Sequence, residues 1–416
     1  MMGLAKQISW YTLGNVVTLF AQWLIIMLIP KITDFTEAGL FAIGVSVASI
    51  MNQVATFTLN QYQVADGHRR YNRNDFALAR LVTIAVSFVL IIPVSVIFGY
   101  GLLEIAVITA YTLYRNLINY AYLHISELQL IGHLDYVGIL MILEGMISFT
   151  AFMAAYILAE DLLLAMVIMA VIGGGFFLMS IAAGYAKYSG ERYGLDMKSR
   201  DKVAELLKIG LPLLASTLAP IIITALPKLI LENQWGKEAV GYFSTLTAPT
   251  ILIPTLALAV FTPLIGHFSK ICASGDRRKL NIQYTKILLA LAAMAGLCYV
   301  ISILFAEPVF KLLYGEEIVP YVYCFHVLLV GIFLYSAGIC GITVLITKNQ
   351  GRFAGISSIA ALILSAVIFA LWIPSGGMDA ATWGLFISYG IFGLLISLCV
   401  YVVPLTRVTD NNNISG

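Results

Sequence analysis

The sequence predicts an all-α polytopic membrane protein, with about twelve transmembrane helices in two six-helix lobes around a central cavity. Three observations predict it. Apolar runs of about 20 residues, the length of one helical crossing, recur along the whole chain. Lysine and arginine crowd into alternate connections between those runs. The two Pro-Lys dipeptides, Pro30-Lys31 and Pro227-Lys228, each close an apolar run, and each is followed by a Gly-x-Phe segment, at Gly39 to Phe41 and at Gly241 to Phe243. One half-unit is used twice.

Composition supports the first point. The chain is 60% hydrophobic and 11% charged, with a mean hydropathy of +0.93. A soluble domain carries roughly 25% charged residues. A β-barrel would show short alternating segments, and these are absent. Five cysteines are scattered with no CxxC or Cys/His spacing, so neither a metal site nor a disulfide framework is expected. They read as small apolar fillers.

The spans are read as 8–30, 38–59, 78–98, 102–122, 136–158, 162–184, 207–231, 240–265, 287–305, 321–346, 354–374 and 382–403. The first run is too long for a signal peptide and lacks a small-residue cleavage site, so it is expected to be a retained span. Nineteen of the 24 Lys and Arg fall in one set of connections, among them Arg69, Arg70, Arg73 and Arg80. The other set holds Lys31, Lys228, Lys237 and Lys311, and Arg115 lies inside a span. By the positive-inside rule the basic set is cytoplasmic, so both termini are expected there. The longest connection, 185–201, is polar and mixed in charge, and 202–208 is expected to form an interfacial helix. The domains follow: an N-terminal lobe over 1–184, a cytoplasmic linker over 185–206 and a C-terminal lobe with a short tail over 207–416.

Charges at membrane depth are costly and face a cavity or a partner. Arg115 lies about thirteen residues into span four. With Tyr111 and Asn119 it makes an i, i+4, i+8 stripe on one helix face. A planar guanidinium fork suits phosphate or pyrophosphate; the plainer reading is a snorkelling or internally paired arginine. Asn15 and Gln22 in span one, Gln53 in span two and Thr224 in span seven belong to a polar pattern in the first spans of each half. That pattern fits a shared cavity, or hydrogen bonding between helices. Lys31 and Lys228 end their spans near the outer face, either snorkelling or standing at a cavity mouth. Glu144 in span five is either a protonatable coupling group or a hydrogen-bonded structural carboxyl. Gly173-Gly174-Gly175 reads as close helix packing, not a nucleotide loop. His326 reads as structural.

Tyr62-Gln63-Val64-Ala65-Asp66, before a basic loop, resembles the Tyr-Gln-Val-Ser-Asp segment of bacterial polysaccharide repeat-unit flippases of the O-antigen and capsule, Wzx type. Gln129 through Asp135-Tyr136-Val137-Gly138 resembles the family's Gln…Leu-Asp-x-x-Gly segment, and Pro227-Lys228 with Gly241, Phe243, Pro249 and Pro263 resembles its span seven to eight region. The chain departs at Ala65 for serine, Leu229 for tyrosine and Glu232 for aspartate. The resemblance implies membership of the multidrug/oligosaccharidyl-lipid/polysaccharide exporter superfamily, alternating access, and an oligosaccharide on undecaprenyl diphosphate as substrate. It implies residence in the bacterial inner membrane, work as a monomer among membrane lipids, and polysaccharide polymerase and glycosyltransferases as partners. No enzyme activity, cofactor or nucleic acid is expected; coupling to H+ or Na+ is left open. A cation-coupled drug extruder of the same superfamily is the competing transporter, though it would favour an acidic cavity. A membrane glycosyltransferase or polymerase would carry a larger external loop than this chain has.

Overall fold

The computed structural model describes residues 4–67, 70–189, 200–261 and 264–404, and every regular element among them is helical. The helices are α1 (Leu4–Ile32), α2 (Phe35–Thr56), α3 (Leu59–Asp66), α4 (Arg73–Val89), α5 (Ile91–Phe98), α6 (Leu102–Leu130), α7 (Leu134–Ala159), α8 (Leu162–Ile168), α9 (Gly175–Ser189), α10 (Arg200–Thr247), α11 (Leu252–Phe261), α12 (Ile265–Ser274), α13 (Arg277–Tyr314), α14 (Val322–Thr347) and α15 (Gly351–Val402). A π-helical turn, Met169–Gly174, joins α8 to α9.

Among the described residues, nine helices are long and apolar enough to cross a membrane. The expectation was about twelve, and the difference has a physical reason in three places. Asp201–Thr255 and Gly351–Val402 run for 55 and 52 residues, far beyond the ~20 that one crossing needs. Each is broken by a glycine outside helical space, Gly236 at φ 85° and Gly377 at φ 53°, a region that favours a residue without Cβ. The third place is α6. At 29 residues it is long enough, but Glu104, Arg115 and Glu127 lower its hydropathy.

Contacts divide the chain into two compact units. One holds Met1–Leu214 with Lys228–Ala248; the other holds Ala215–Pro227 with Pro249–Gly416. The expected lobes were consecutive, at 1–184 and 207–416, whereas these units interleave. The linker lies partly outside the described residues. Its end, with the expected interfacial helix 202–208, is already the start of α10. Pro227-Lys228 also departs from expectation. It does not close a helix, because α10 continues to Gly236 before it breaks.

Within the first unit, α1 and α7 touch backbone to backbone. A Cβ on Gly14 would lie 2.4 Å from the Gly138 carbonyl oxygen, and one on Gly138 would lie 2.3 Å from the Trp10 carbonyl oxygen. Gly145 meets the Thr18 backbone at 3.0 Å. Small residues let helices approach in this way where lipid offers no hydrophobic drive. The Thr18 hydroxyl bonds across to the Met141 carbonyl at 2.7 Å.

The internal repeat is visible in the same unit as a reciprocal contact. A Cβ on Gly39 would lie 1.8 Å from the Lys237 carbonyl oxygen, and one on Gly241 would lie 1.8 Å from the Phe35 carbonyl oxygen. Gly39 and Gly241 are the repeat-related glycines, and Phe35 and Lys237 stand four residues before them. Each copy of the repeat thus presents its glycine to the other copy's carbonyl. Phe35 stacks on Tyr242 at 3.9 Å, and Lys237 pairs with Glu104.

In the second unit α14 packs on α15 through Gly338 against Phe392 and Gly393 against the Leu334 carbonyl. Lys348, buried, donates to the Val400 and Val403 carbonyls at 2.9 and 2.6 Å. A cation there matches the negative end of the α15 dipole.

Gly138→Val should force α1 and α7 apart and cost on the order of 1–3 kcal/mol by overpacking. Gly175→Ala, where an added Cβ meets nothing within 4 Å, should be silent. Thermal unfolding of the purified protein in detergent reads both.

Candidate functional site

The α1–α7 contact places Gln22 and Thr18 beside Glu144. The buried carboxylate of Glu144 accepts from the Tyr114 hydroxyl at 2.5 Å and from the Ser148 hydroxyl at 2.9 Å. Tyr114 in turn accepts from Gln22 Nε2 at 3.4 Å, and Gln22 Oε1 accepts from Arg115 Nη1 at 3.1 Å. Ser148 is fixed by the π-turn, since a Cβ on Gly173 would lie 2.0 Å from its Oγ. Single π-turns inside α-helices occur often at functional sites.

This chain of bonds has a direction. Arg115 can only donate, and an ionised carboxylate can only accept. With Arg115 at one end, Gln22 must present its oxygen to the guanidinium and its amide N–H to Tyr114. Tyr114 must then donate onward to Glu144. The orientation of a neutral amide and a hydroxyl is therefore set from the Arg115 end. Arg115 and Glu144, two separate candidates in the sequence, meet in one network through residues that the polar pattern touched only at Gln22. Tyr114 and Ser148 were missed. Their signals were available: Tyr114 precedes Arg115, and Ser148 stands one turn after Glu144.

The stripe Tyr111-Arg115-Asn119 divides among three environments. Tyr111 is buried in an apolar cluster, edge-on to Phe41 at 6.0 Å and to Tyr114 at 5.7 Å. Arg115 is half-buried and joined to Gln22. Asn119 is buried and bonded to a different arginine. Arg80 Nη1 donates to the Asn119 carbonyl at 3.0 Å and to its Oδ1 at 3.2 Å. Arg80 Nη2 donates to Asn60 Oδ1 at 2.5 Å and to Gln63 Oε1 at 3.4 Å. Gln63 then donates to the Leu123 carbonyl and to Glu127 Oε1, the latter at 2.7 Å.

Arg80 corrects the sequence reading, which counted it among the loop cations. It is fully buried. Because α4 starts at Arg73, capped by an Asn72–Asp75 box, Arg80 lies two turns inside and faces α3 and α6. The Tyr62–Asp66 segment gains a physical role here. Gln63 ties α3 to α6, and Asp66 accepts from the backbone N–H of Arg70 and Tyr71 to hold the following turn. Nearby, Arg73 stands over the Tyr185 ring at 3.7 Å and reaches His124 Nδ1 at 3.0 Å.

The remaining candidates are spread out. Asn15 and Lys31 are exposed on α1, and Lys228 and Gln53 are half-buried on α10 and α2. Thr224 donates to the Pro220 carbonyl one turn earlier at 3.0 Å and lies beside the Tyr335 and Tyr389 hydroxyls. Ser49 and Thr56 also bond back to their own helix, a common way to satisfy hydroxyls in apolar helices. His326 bonds to Ser302 at 2.9 Å. Gly173 and Gly174 are the close-packed pair in their triplet; Gly175 meets nothing. No cluster of His, Cys, Asp or Glu that could hold a metal occurs among the described residues.

The fold is similar to that of solved transporters of the MOP superfamily. The chain superposes on the lipid II flippase MurJ in its inward closed conformation with a TM-score of 0.70 at 13% identity, covering 94% of this chain and 87% of that one. It superposes on a multidrug resistance MATE family transporter in its inward-facing conformation with a TM-score of 0.65 at 15% identity, covering 96% and 97%. The sequence comparisons narrow the class. A family described as Polysaccharide biosynthesis protein matches residues 135–323. The Capsular polysaccharide biosynthesis protein CapF of Staphylococcus aureus is 21% identical over 393 residues, 92% of this chain and 96% of CapF. These matches agree with the resemblance seen in the sequence: by sequence the chain is similar to polysaccharide biosynthesis proteins, and by fold to a lipid II flippase and a MATE transporter.

Arg80 and Arg115 should separate in experiment. Arg80→Met leaves the acceptors of Asn60, Asn119 and Gln63 unmatched, and each such group costs ~1–3 kcal/mol. A clear fall in the unfolding midpoint is expected. Arg115→Met removes one hydrogen bond to a neutral amide, a loss of ~1 kcal/mol, so its midpoint should fall much less.

Proposed function

We propose that this protein moves an undecaprenyl-diphosphate-linked oligosaccharide from the inner to the outer leaflet of the bacterial cytoplasmic membrane by alternating access. Arg115 carries this reading. A permanently charged fork stands at membrane depth, held by a neutral amide and with no ion pair among the described residues. A phosphate offers such a fork two parallel, charge-assisted bonds, which outcompete a neutral amide oxygen. Lys31 and Lys228 offer further cations for the head group. Asn15, Gln53 and Thr224 offer polar groups for sugar.

The hydrogen-bond chain suggests how a proton is coupled to transport. When an anion draws Arg115 from Gln22, the amide loses the contact that fixed its orientation. Tyr114 is then no longer obliged to donate to Glu144, and a protonated Glu144 can donate to Tyr114 instead. Anion arrival and Glu144 protonation are thus linked through Gln22 and Tyr114.

The test is translocation of labelled lipid-linked oligosaccharide in bacteria lacking their own repeat-unit flippase. The wild-type chain should restore it. Arg115→Ala should lower it at least tenfold, with partial recovery in Arg115→Lys. Normal transport by both Arg115→Ala and Lys228→Ala would sink the site assignment. Efflux of cationic drugs without oligosaccharide transport would favour the drug extruder instead. Glu144→Gln keeps the acceptor for Tyr114 but cannot titrate. It should flatten the dependence of transport on external pH, and a dependence on Na+ in its place would remove the proton from the scheme.

A further inference from the structure

The second unit carries a feature that the transport site does not use. The first turns of α13 line a shallow recess of about 690 Å³ with Arg277, Arg278, Asn281, Thr285 and Lys286. No carboxylate among the described residues lines it. Asp276, just before the helix, is occupied as its cap, accepting from the Lys279 N–H at 2.8 Å. Arg277 is pinned to the last carbonyls of α15, at Tyr401 and Val402. Arg278 and Lys286 are exposed and have no ion pair among the described residues.

A second recess, about 590 Å³ and almost wholly apolar, adjoins the first. The two meet where Thr285, lining one, bonds to the Tyr401 hydroxyl, lining the other, at 2.7 Å. The second recess runs along one face of α13, through Leu288, Ala292, Gly296 and Tyr299, with Ala337 of α14 and Leu398 of α15 opposite. Small residues carve it. A Cβ at Gly296 would meet nothing within 4 Å, so no neighbouring helix requires that glycine. The half-buried Ser397 hydroxyl in its wall is already bonded to Tyr284 at 3.0 Å.

We propose that these joined recesses bind an anionic glycerophospholipid of the cytoplasmic leaflet, its phosphate at Arg278 and Lys286 and an acyl chain in the apolar groove. Charge selects the head group, since each juxtamembrane cation attracts an anionic lipid by ~1 kcal/mol. Orientation places the basic end at the cytoplasmic surface by the positive-inside rule. Length selects the tail. Leu288 to Tyr299 rises ~16 Å at ~1.5 Å per residue, about half of the ~30 Å hydrocarbon core. That depth fits acyl chains of one leaflet and is short for a polyprenyl chain.

The probe is native mass spectrometry of the delipidated full chain, given equal amounts of phosphatidylglycerol and phosphatidylcholine with the same acyl chains. Wild type should retain phosphatidylglycerol at least threefold over phosphatidylcholine. Arg278→Gln with Lys286→Gln should bring the ratio close to one. Gly296→Leu, which fills the groove, should lower retention of both lipids. Unfolding midpoints of these exposed-site variants are expected to match wild type. Equal retention by wild type, or a preference unchanged in the double variant, overturns the proposal. So does displacement of bound phosphatidylglycerol by an equal amount of polyprenyl phosphate, which would name a different occupant. None of these outcomes depends on what the protein transports.

Discussion

The backbone contact between α1 and α7 is the constraint on which the polar site depends. Gly14, Gly138 and Gly145 let the two helices meet without intervening side chains. That contact brings Gln22 and Thr18 of α1 level with Glu144 of α7. Gly138 ends the Asp135-Tyr136-Val137-Gly138 segment that resembles one of the polysaccharide flippases. Its role is steric, and the chemistry sits on its neighbours.

Two arginines in apolar surroundings show two solutions to one problem. A buried guanidinium has five donors and no acceptor. Arg80 lies where three helices converge, and amide and backbone oxygens take up its fork from several sides. Its charge is spread through Gln63 toward Glu127. Such an arrangement fixes α3, α4 and α6 together. Arg115 has one neutral acceptor, and the Glu144 carboxyl lies two residues away along a hydrogen-bond chain. Both arginines are tied to α6, Arg80 by bonding into it at Asn119 and Arg115 by standing on it.

The reciprocal contact of Gly39 and Gly241 is the physical content of the repeat. A sequence repeat says only that two segments share a pattern. Here the two copies meet, each glycine against the other's carbonyl, as expected of related surfaces packed about a local two-fold. The Lys237–Glu104 pair and the Phe35–Tyr242 stack reinforce the same contact. They account for the grouping of Lys228–Ala248 with the first unit and not with its neighbours in sequence.

Length, hydropathy and the placement of Lys and Arg were enough to predict a polytopic helical protein, because a bilayer imposes ~20-residue apolar runs and a charge asymmetry on any such chain. The repeat and the weak flippase motifs were also readable, since both are linear patterns. What linear pattern could not supply was the partner of each polar side chain. Tyr111, Arg115 and Asn119 share one face of one helix, yet they end in an apolar cluster, a polar chain and an arginine clamp. Arg80 reads as a loop cation and is fully buried. Lys228 reads as a span end, yet its helix continues. In each case neighbouring helices decided the outcome, because a charge in hydrocarbon takes its state from whichever donors and acceptors tertiary packing brings within ~3 Å. The sequence by itself determined that such groups had to be satisfied; the tertiary structure decided by whom.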